Sequence, residues 1–289
     1  MRKIPLILAV SFLFGVGSAQ NLETLKRESA QDIIKSATGD AIKKLKSEER
    51  QKVIQEAVKV LEQTKEILNL LAQNKVNEAK SLLNEVCQKM DTLVEKYKLT
   101  KVPVDVSIEE YVGVSNINLA KVLNKRVKFY INKNDFVNAR NYLEILRNEV
   151  DIRTTYMPLY LYRGAIKLAK KFLDEEKVQA TILALQSALG TLEQEVVIIP
   201  RPFLEAQLLI ETAQKLYKEQ PEKAIKLLKQ AKRDLELLKY LGYVSDEKEI
   251  KEPWEVIEEL EKSIKAKASS TPGFFEKLKE KFEKLKRSF

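Results

Sequence analysis

Four stretches of this chain align without gaps, and each reads as the tip of a helical hairpin. They are LAQNKVNEAKSLL (71–83), INKNDFVNARNYL (131–143), LDEEKVQATILAL (173–185) and LYKEQPEKAIKLL (216–228). Each starts on an apolar residue (Leu71, Ile131, Leu173, Leu216) and crosses a polar turn. It then reaches a small residue (Ala79, Ala139, Thr181, Ala224), with leucine four positions on (Leu83, Leu143, Leu185, Leu228). The pattern describes a helix end, a tight turn, and a second helix whose small residue lets its partner come close, as in tetratricopeptide-type repeats. Because the intervals of 60, 42 and 43 residues are irregular, a compact bundle is expected rather than an open solenoid.

The rest of the chain supports helices. Only eight of 289 residues are glycine, and apolar residues recur at spacings of three and four nearly throughout. Val53, Ile54, Ala57, Val58, Leu61, Ile67, Leu68 and Leu71 line one face of a long helix from about Ser47 to Asn74. Ser47 is the expected N-cap, with Glu48 and Glu49 in the first turn. Three extended runs interrupt the helices: VPVDV (102–106), IRTTY (152–156) and VVII (196–199). Each precedes a helix signal: a capping box of Ser107 with Glu110, then Pro158, then Pro200 with Pro202. The expected fold class is therefore all-α, a bundle of antiparallel helical hairpins with a few short extended or strand segments.

Met1, Arg2 and Lys3 precede an apolar run (4–16) and the small residues Gly17, Ser18 and Ala19. That is the order of a secretory signal peptide over residues 1–19, cut after Ala19, and it predicts an exported, periplasmic protein. An uncleaved N-terminal anchor is the less favoured reading, since the run is short for a membrane span. Residues 20–46 read as a helical lead-in. The single cysteine, Cys87, cannot form an internal disulfide, and its spacing from Leu83 and Val86 marks a small buried apolar residue rather than an intermolecular bridge.

The chain contains no histidine, which removes Ser-His-Asp and Cys-His catalysis and His-ligated metal sites. There is no Walker-type glycine-rich loop, and no paired carboxylates stand out from the many on lysine-rich helices. No catalytic residue, metal or cofactor is assigned, and an enzyme is the weakest of three functional readings. The formal charge is +9, of which Arg2 and Lys3 carry two. Residues 265–289 hold eight basic residues against Glu276, Glu280 and Glu283, a surplus of +5, so residues 20–264 carry only +2. A nucleic-acid-binding body would show its own basic excess, and nucleic acid is not expected as a partner.

Residues 149–162, EVDIRTTYMPLYLY, crowd β-branched and aromatic side chains into a helical sequence. As a binding surface, Arg153, Tyr156, Tyr160, Tyr162 and Arg163 would line a groove with Asp105 and Arg201 from neighbouring runs. As architecture, the threonines favour a strand, the tyrosines pack, and the arginines pair with Asp105, Asp151 or helix ends. Architecture is the preferred reading, with binding second.

KVPVDVSIEEY (101–111), IRTTYMPLYLYRGAIKLAKKFLDEEK (152–177), VVIIPRPFLEAQLLI (196–210) and LELLKYLGY (235–243) together resemble the YfdX family of exported bacterial proteins. The resemblance covers about residues 47–265 and places a YfdX-like helical domain at 47–267. It implies a mostly helical fold, periplasmic export, homo-oligomers, and a link to acid, heat or antibiotic stress with chaperone-like holding of unfolded clients. It supplies no catalytic residues. The tail lies outside it: ASSTPG (268–273) reads as a linker, followed by a basic amphipathic helix over 274–289. Phe275, Leu278, Phe282, Leu285 and Phe289 form its apolar stripe. Such a helix binds an anionic membrane or a partner, or folds back on its own bundle. The preferred function is an exported, non-enzymatic, stress-related holdase. The alternative is a peripheral membrane-associated structural protein anchored by this last helix.

Overall fold

A computed structural model describes residues 25–26, 29–287 and 289. The expected signal peptide and its cleavage site lie outside the described residues. The described chain is mostly helical with a small sheet. In order, it comprises α1 (Ala30–Gln51), α2 (Gln55–Ala72), α3 (Val76–Tyr97), β1 (Lys101–Tyr111), α4 (Ile117–Asn132), α5 (Phe136–Leu146) and β2 (Glu149–Pro158). There follow α6 (Leu159–Asp174), α7 (Val178–Gly190), β3 (Glu193–Pro200), α8 (Arg201–Leu216), α9 (Pro221–Leu241), α10 (Glu247–Lys265) and α11 (Thr271–Lys286).

The described residues divide into two compact units, one of residues 46–108 and 152–197, the other of those up to 45 together with 109–151 and those from 198 onward. In the first unit the hairpins α2–α3 and α6–α7 pack in a ring, α2 on α3, α3 on α6, α6 on α7 and α7 on α2. Their apolar stripes meet in one core that includes Ala79, Leu83, Met90, Tyr162, Ile166 and Leu185. Burial in that core pushes the Tyr162 hydroxyl up to about 12. In the second unit α9 packs against α8, α10 and α4, α4 pairs with α5, and α11 packs on α10 and α8. Helix α8 is buried on almost every side.

All four expected hairpin tips are present, as α2–α3, α4–α5, α6–α7 and α8–α9. In three of them the turn holds one residue in the left-handed region: Asn74 (φ 58°), Asn134 (φ 58°) and Glu176 (φ 57°). The next residue's N–H then reaches back to a helix carbonyl, as Lys75 to Leu70, Asp135 to Tyr130 and Lys177 to Phe172. The small residues Ala79, Ala139, Thr181 and Ala224 are all buried, as close helix contact requires.

The three extended runs are strands of one sheet in the order β1-β2-β3. Neighbours run antiparallel: Leu159 after β2 donates to the Thr100 carbonyl before β1, and Arg201 after β3 donates to the Asn148 carbonyl before β2. The central strand β2 is buried along nearly its whole length. This accounts for EVDIRTTYMPLYLY, which is the central strand and the first turn of the helix after it. Pro103, which has no N–H for a ladder, sits on the edge strand β1.

Two cap assignments and one boundary are corrected. Ser47 lies inside α1, because the buried face of Ala37, Ala41 and Leu45 carries the helix on to Gln51. The break falls at residues 52–54, where the Ile54 N–H turns to the Pro103 carbonyl (2.9 Å). Ser107 and Glu110 lie within β1, and the next helix is capped by Asn116, whose side chain accepts from the Leu119 N–H (3.1 Å). The linker over 268–273 is a tight turn, and α11 already begins at Thr271, whose hydroxyl meets that of Ser263 at 2.7 Å. A left-handed conformation costs a side chain with a Cβ about 1–2 kcal/mol, and glycine returns part of that gain as chain entropy. Glu176→Gly should therefore raise stability by about 0.5–1 kcal/mol in denaturant melts, whereas Asn134→Gly should change it by less.

Candidate functional site

The start of β2 carries a polar cluster. Arg147 caps the end of α5 and pairs with Glu149, while its second branch binds Asp151 at 2.6 Å. The guanidinium stacks 3.3 Å from the centre of the Tyr111 ring. Glu149 accepts a hydrogen bond from the Tyr243 hydroxyl (2.6 Å), which accepts in turn from the Asn148 N–H (2.9 Å). Gly113 makes the approach possible, since a Cβ there would lie 2.2 Å from the Arg147 carbonyl oxygen. Burial opposes the charge on Arg147, but Glu149 and Asp151 outweigh it and raise the guanidinium pKa. Burial, and then the bond to Glu149, push the Tyr243 hydroxyl well above its ordinary value. A cation so enclosed by its carboxylates holds the strand start in place.

The residues expected as a binding surface do not form one cluster. Asp105 is exposed on β1 and Tyr160 is exposed on α6. Tyr156 is buried beneath Lys101, whose ammonium lies 4.8 Å from the ring centre and pairs with Glu195 (2.6 Å) and Glu193 (2.9 Å). Arg163 pairs with Asp91 on α3. Arg153 is half-buried on β2, and Tyr162 lies within the helical core. Arg201 belongs to the other unit, where it meets Glu110 at 3.5 Å and Glu205 at 3.8 Å. Sequence reasoning missed Arg147, Tyr111 and Tyr243, although Arg147 stands two and four residues before the acids it holds.

A second buried group lies on α9 near Glu205 of α8. Asp234 is buried, accepts from Gln230 (2.9 Å) at one oxygen, and has no hydrogen-bond partner at the other among the described residues. Burial, and then the nearby Glu205, push its carboxyl up to about 8. Glu205 is raised as well, by burial that Arg201 partly offsets. Among the described residues no three His, Cys, Asp or Glu side chains converge as a metal ion would need.

The C-terminal stripe is packed inward. Phe275, Leu278, Phe282 and Leu285 are buried. Phe282 and Phe289 both meet Phe203 of α8, at ring-centre distances of 5.4 Å and 5.2 Å, and Phe275 meets Tyr217 at 5.4 Å. Outside the stripe, Lys281 and Lys284 pair with Glu252 of α10. The apolar face that would enter a membrane is thus covered by the helix's own unit. No described helix is long and apolar enough to cross a membrane. Exposed bulky apolar residues occur elsewhere, on the outer sides of α6 and α7 and on the hairpin α4–α5.

Residues 60–197 match the family model described as YfdX protein. Among solved structures, one of YfdX from Salmonella Typhi aligns at 12% identity with a TM-score of 0.36, covering 51% of this chain and 92% of that one. No curated protein matches the chain.

The raised Asp234 carboxyl links stability to pH. Its value moves from 3.8 to about 8 on folding, so between those limits the folded chain holds a proton that the unfolded chain has released. The resulting stability is fully present below about pH 4 and is lost as pH rises through about 8. Asp234→Asn should flatten that slope in urea melts across pH 5–9 and leave the variant more stable than the parent at pH 8. Tyr243→Phe should cost about 1–3 kcal/mol, because Glu149 loses its hydroxyl donor inside the fold.

Proposed function

We propose, from the match of residues 60–197 to the YfdX family model, that this chain is an exported, non-enzymatic envelope stress protein that holds partly unfolded polypeptides on apolar helix faces. The observation that carries this reading is the outer side of the α6–α7 hairpin. Leu161 on α6 is 63% exposed and Leu183 on α7 is 66% exposed. Leu168, also exposed, lies seven residues after Leu161 on the same helix face, and Gly164 between them leaves bare backbone with open space above it. The core of this unit is already filled by Tyr162, Ile166, Ala169 and Leu173, so these leucines are not needed to close it.

Several of the cations near the leucines are neutralised within the hairpin's own neighbourhood. Arg163 and Lys167 both pair with Asp91, and Lys80 and Lys170 both pair with Asp174. A surface of this kind suits an uncharged apolar segment. Burying a leucine is worth about 1.5–3 kcal/mol, so a few of them hold a segment weakly enough to release it. Export rests on the N-terminal charge, apolar run and small-residue exit. The same leucines offer a surface on which copies of the chain associate into a homo-oligomer.

The test is suppression of aggregation of a heat-unfolded model client by residues 20–289. Leu161→Ser, Leu168→Ser and Leu183→Ser combined should reduce suppression severalfold and leave the melting transition nearly unchanged, because the positions are exposed. Undiminished suppression by the triple variant would remove this face from the reading. The absence of suppression by the parent chain would remove holding altogether.

A further inference from the structure

The hairpin α4–α5 departs from the other three at corresponding repeat positions. The first apolar residue of the repeat is buried in Leu71, Leu173 and Leu216, yet Ile131 is exposed. The leucine after the small residue is buried in Leu83, Leu185 and Leu228, yet Leu143 is exposed. Beside the turn, Phe129, Phe136 and Val137 are 52%, 63% and 74% exposed, and among the described residues no other hairpin tip shows bulky apolar side chains in this way.

The charge around this tip is one-sided. Within residues 117–146, Lys121, Lys125, Arg126, Lys128, Lys133 and Arg140 stand against only Asp135 and Glu144; Lys121 is answered by Glu236 of α9 (3.5 Å) and Arg140 by Glu144 (4.0 Å). Asp135 is occupied as the N-cap of α5, accepting from the Asn138 N–H at 3.1 Å. Among the described residues Lys125 and Lys128 make no ion pair, unlike Arg163, Lys167 and Lys170 on α6. The tip is also braced: Tyr130 stacks on Tyr142 across the hairpin at 5.5 Å, and Arg126 donates to the Tyr142 hydroxyl at 3.0 Å.

We propose that the tip of α4–α5 docks on an anionic phospholipid surface, with Phe129, Ile131, Phe136 and Val137 entering the interface and Lys125, Lys128 and Lys133 meeting the headgroups. An apolar crown beside Lys125 and Lys128, which make no ion pair among the described residues, and Lys133, whose ammonium lies 4.5 Å from the Phe129 ring centre, fits lipid tails beneath phosphates. A second copy would bring the same excess of positive charge to the contact, and an uncharged client segment would leave the lysines without partners. The site is independent of the leucines on α6 and α7, so either can fail alone.

The experiment is co-sedimentation of residues 20–289 with large vesicles of phosphatidylglycerol and phosphatidylcholine, or of phosphatidylcholine alone. Omitting the apolar run at 4–16 keeps that run from binding vesicles itself, and every described element lies after residue 24. The parent chain should bind the anionic vesicles, bind neutral ones at least tenfold more weakly, and be released by salt. Phe129→Ser with Phe136→Ser, and separately Lys125→Glu with Lys128→Glu, should each weaken binding at least tenfold while retaining parental client holding. The lysine pair is exposed and outside the core, so its loss of binding does not report unfolding. Failure of the parent to bind anionic vesicles, or parental binding by either variant, overturns the proposal. An oligomer that the phenylalanine variant converts to monomer, with no vesicle binding by the parent, assigns the tip to a second copy instead.

Discussion

Close approach between the two helices of each hairpin is the constraint from which the rest of the architecture follows. Ala79, Ala139, Thr181 and Ala224 sit buried at the contact, where a larger side chain would force the axes apart. A turn this short must also reverse the chain, which three hairpins achieve with Asn74, Asn134 or Glu176 in the left-handed region. Once tip and contact are set, the helical period decides which residues face inward. In α2–α3 and α6–α7 this closes a four-helix ring with its leucines inside.

These features were legible because each recurs in the sequence and each has one structural meaning. The extended runs were legible too, since Val, Ile and Thr between helices have few other uses. The helix caps were harder to read. An N-cap contributes about 1 kcal/mol, and a serine followed by glutamate arises readily in a chain so rich in charged residues. At Ser47 the continuing buried face of Ala37, Ala41 and Leu45 outweighs that local signal, and at Ser107 strand pairing does.

The polar residues of EVDIRTTYMPLYLY show a different limit. The stretch is the central strand and the start of a helix, and an arginine just outside it, Arg147, holds Asp151. Tyr111 and Tyr243 are distant in sequence from that strand, and nothing local announces them. Gly113 is the nearest clue, and its meaning emerges only from the Arg147 carbonyl that crowds it. The tail was ambiguous for a similar reason. An apolar stripe of Phe275, Leu278, Phe282 and Leu285 reads the same whether it faces lipid or Phe203, and only the fold supplies Phe203.

Exposure of apolar residues is the property that matters most for function and the one the repeat conceals. Leu83 and Leu143 occupy the same repeat position, but α3 has α2 and α6 against it, whereas α5 lies on the outside of its pair. Two exposed surfaces result, and their charges separate them. Around Leu161 and Leu168, Arg163, Lys167 and Lys170 are answered by Asp91 and Asp174, so a partner there needs to bring mainly apolar surface. Around Phe129 and Phe136 Lys125 and Lys128 are not answered within the described chain, and a partner that left them so would forgo the strongest complementarity the tip offers. The difference in electrostatic demand, more than the difference in apolar area, divides a face suited to polypeptide from one suited to anionic lipid.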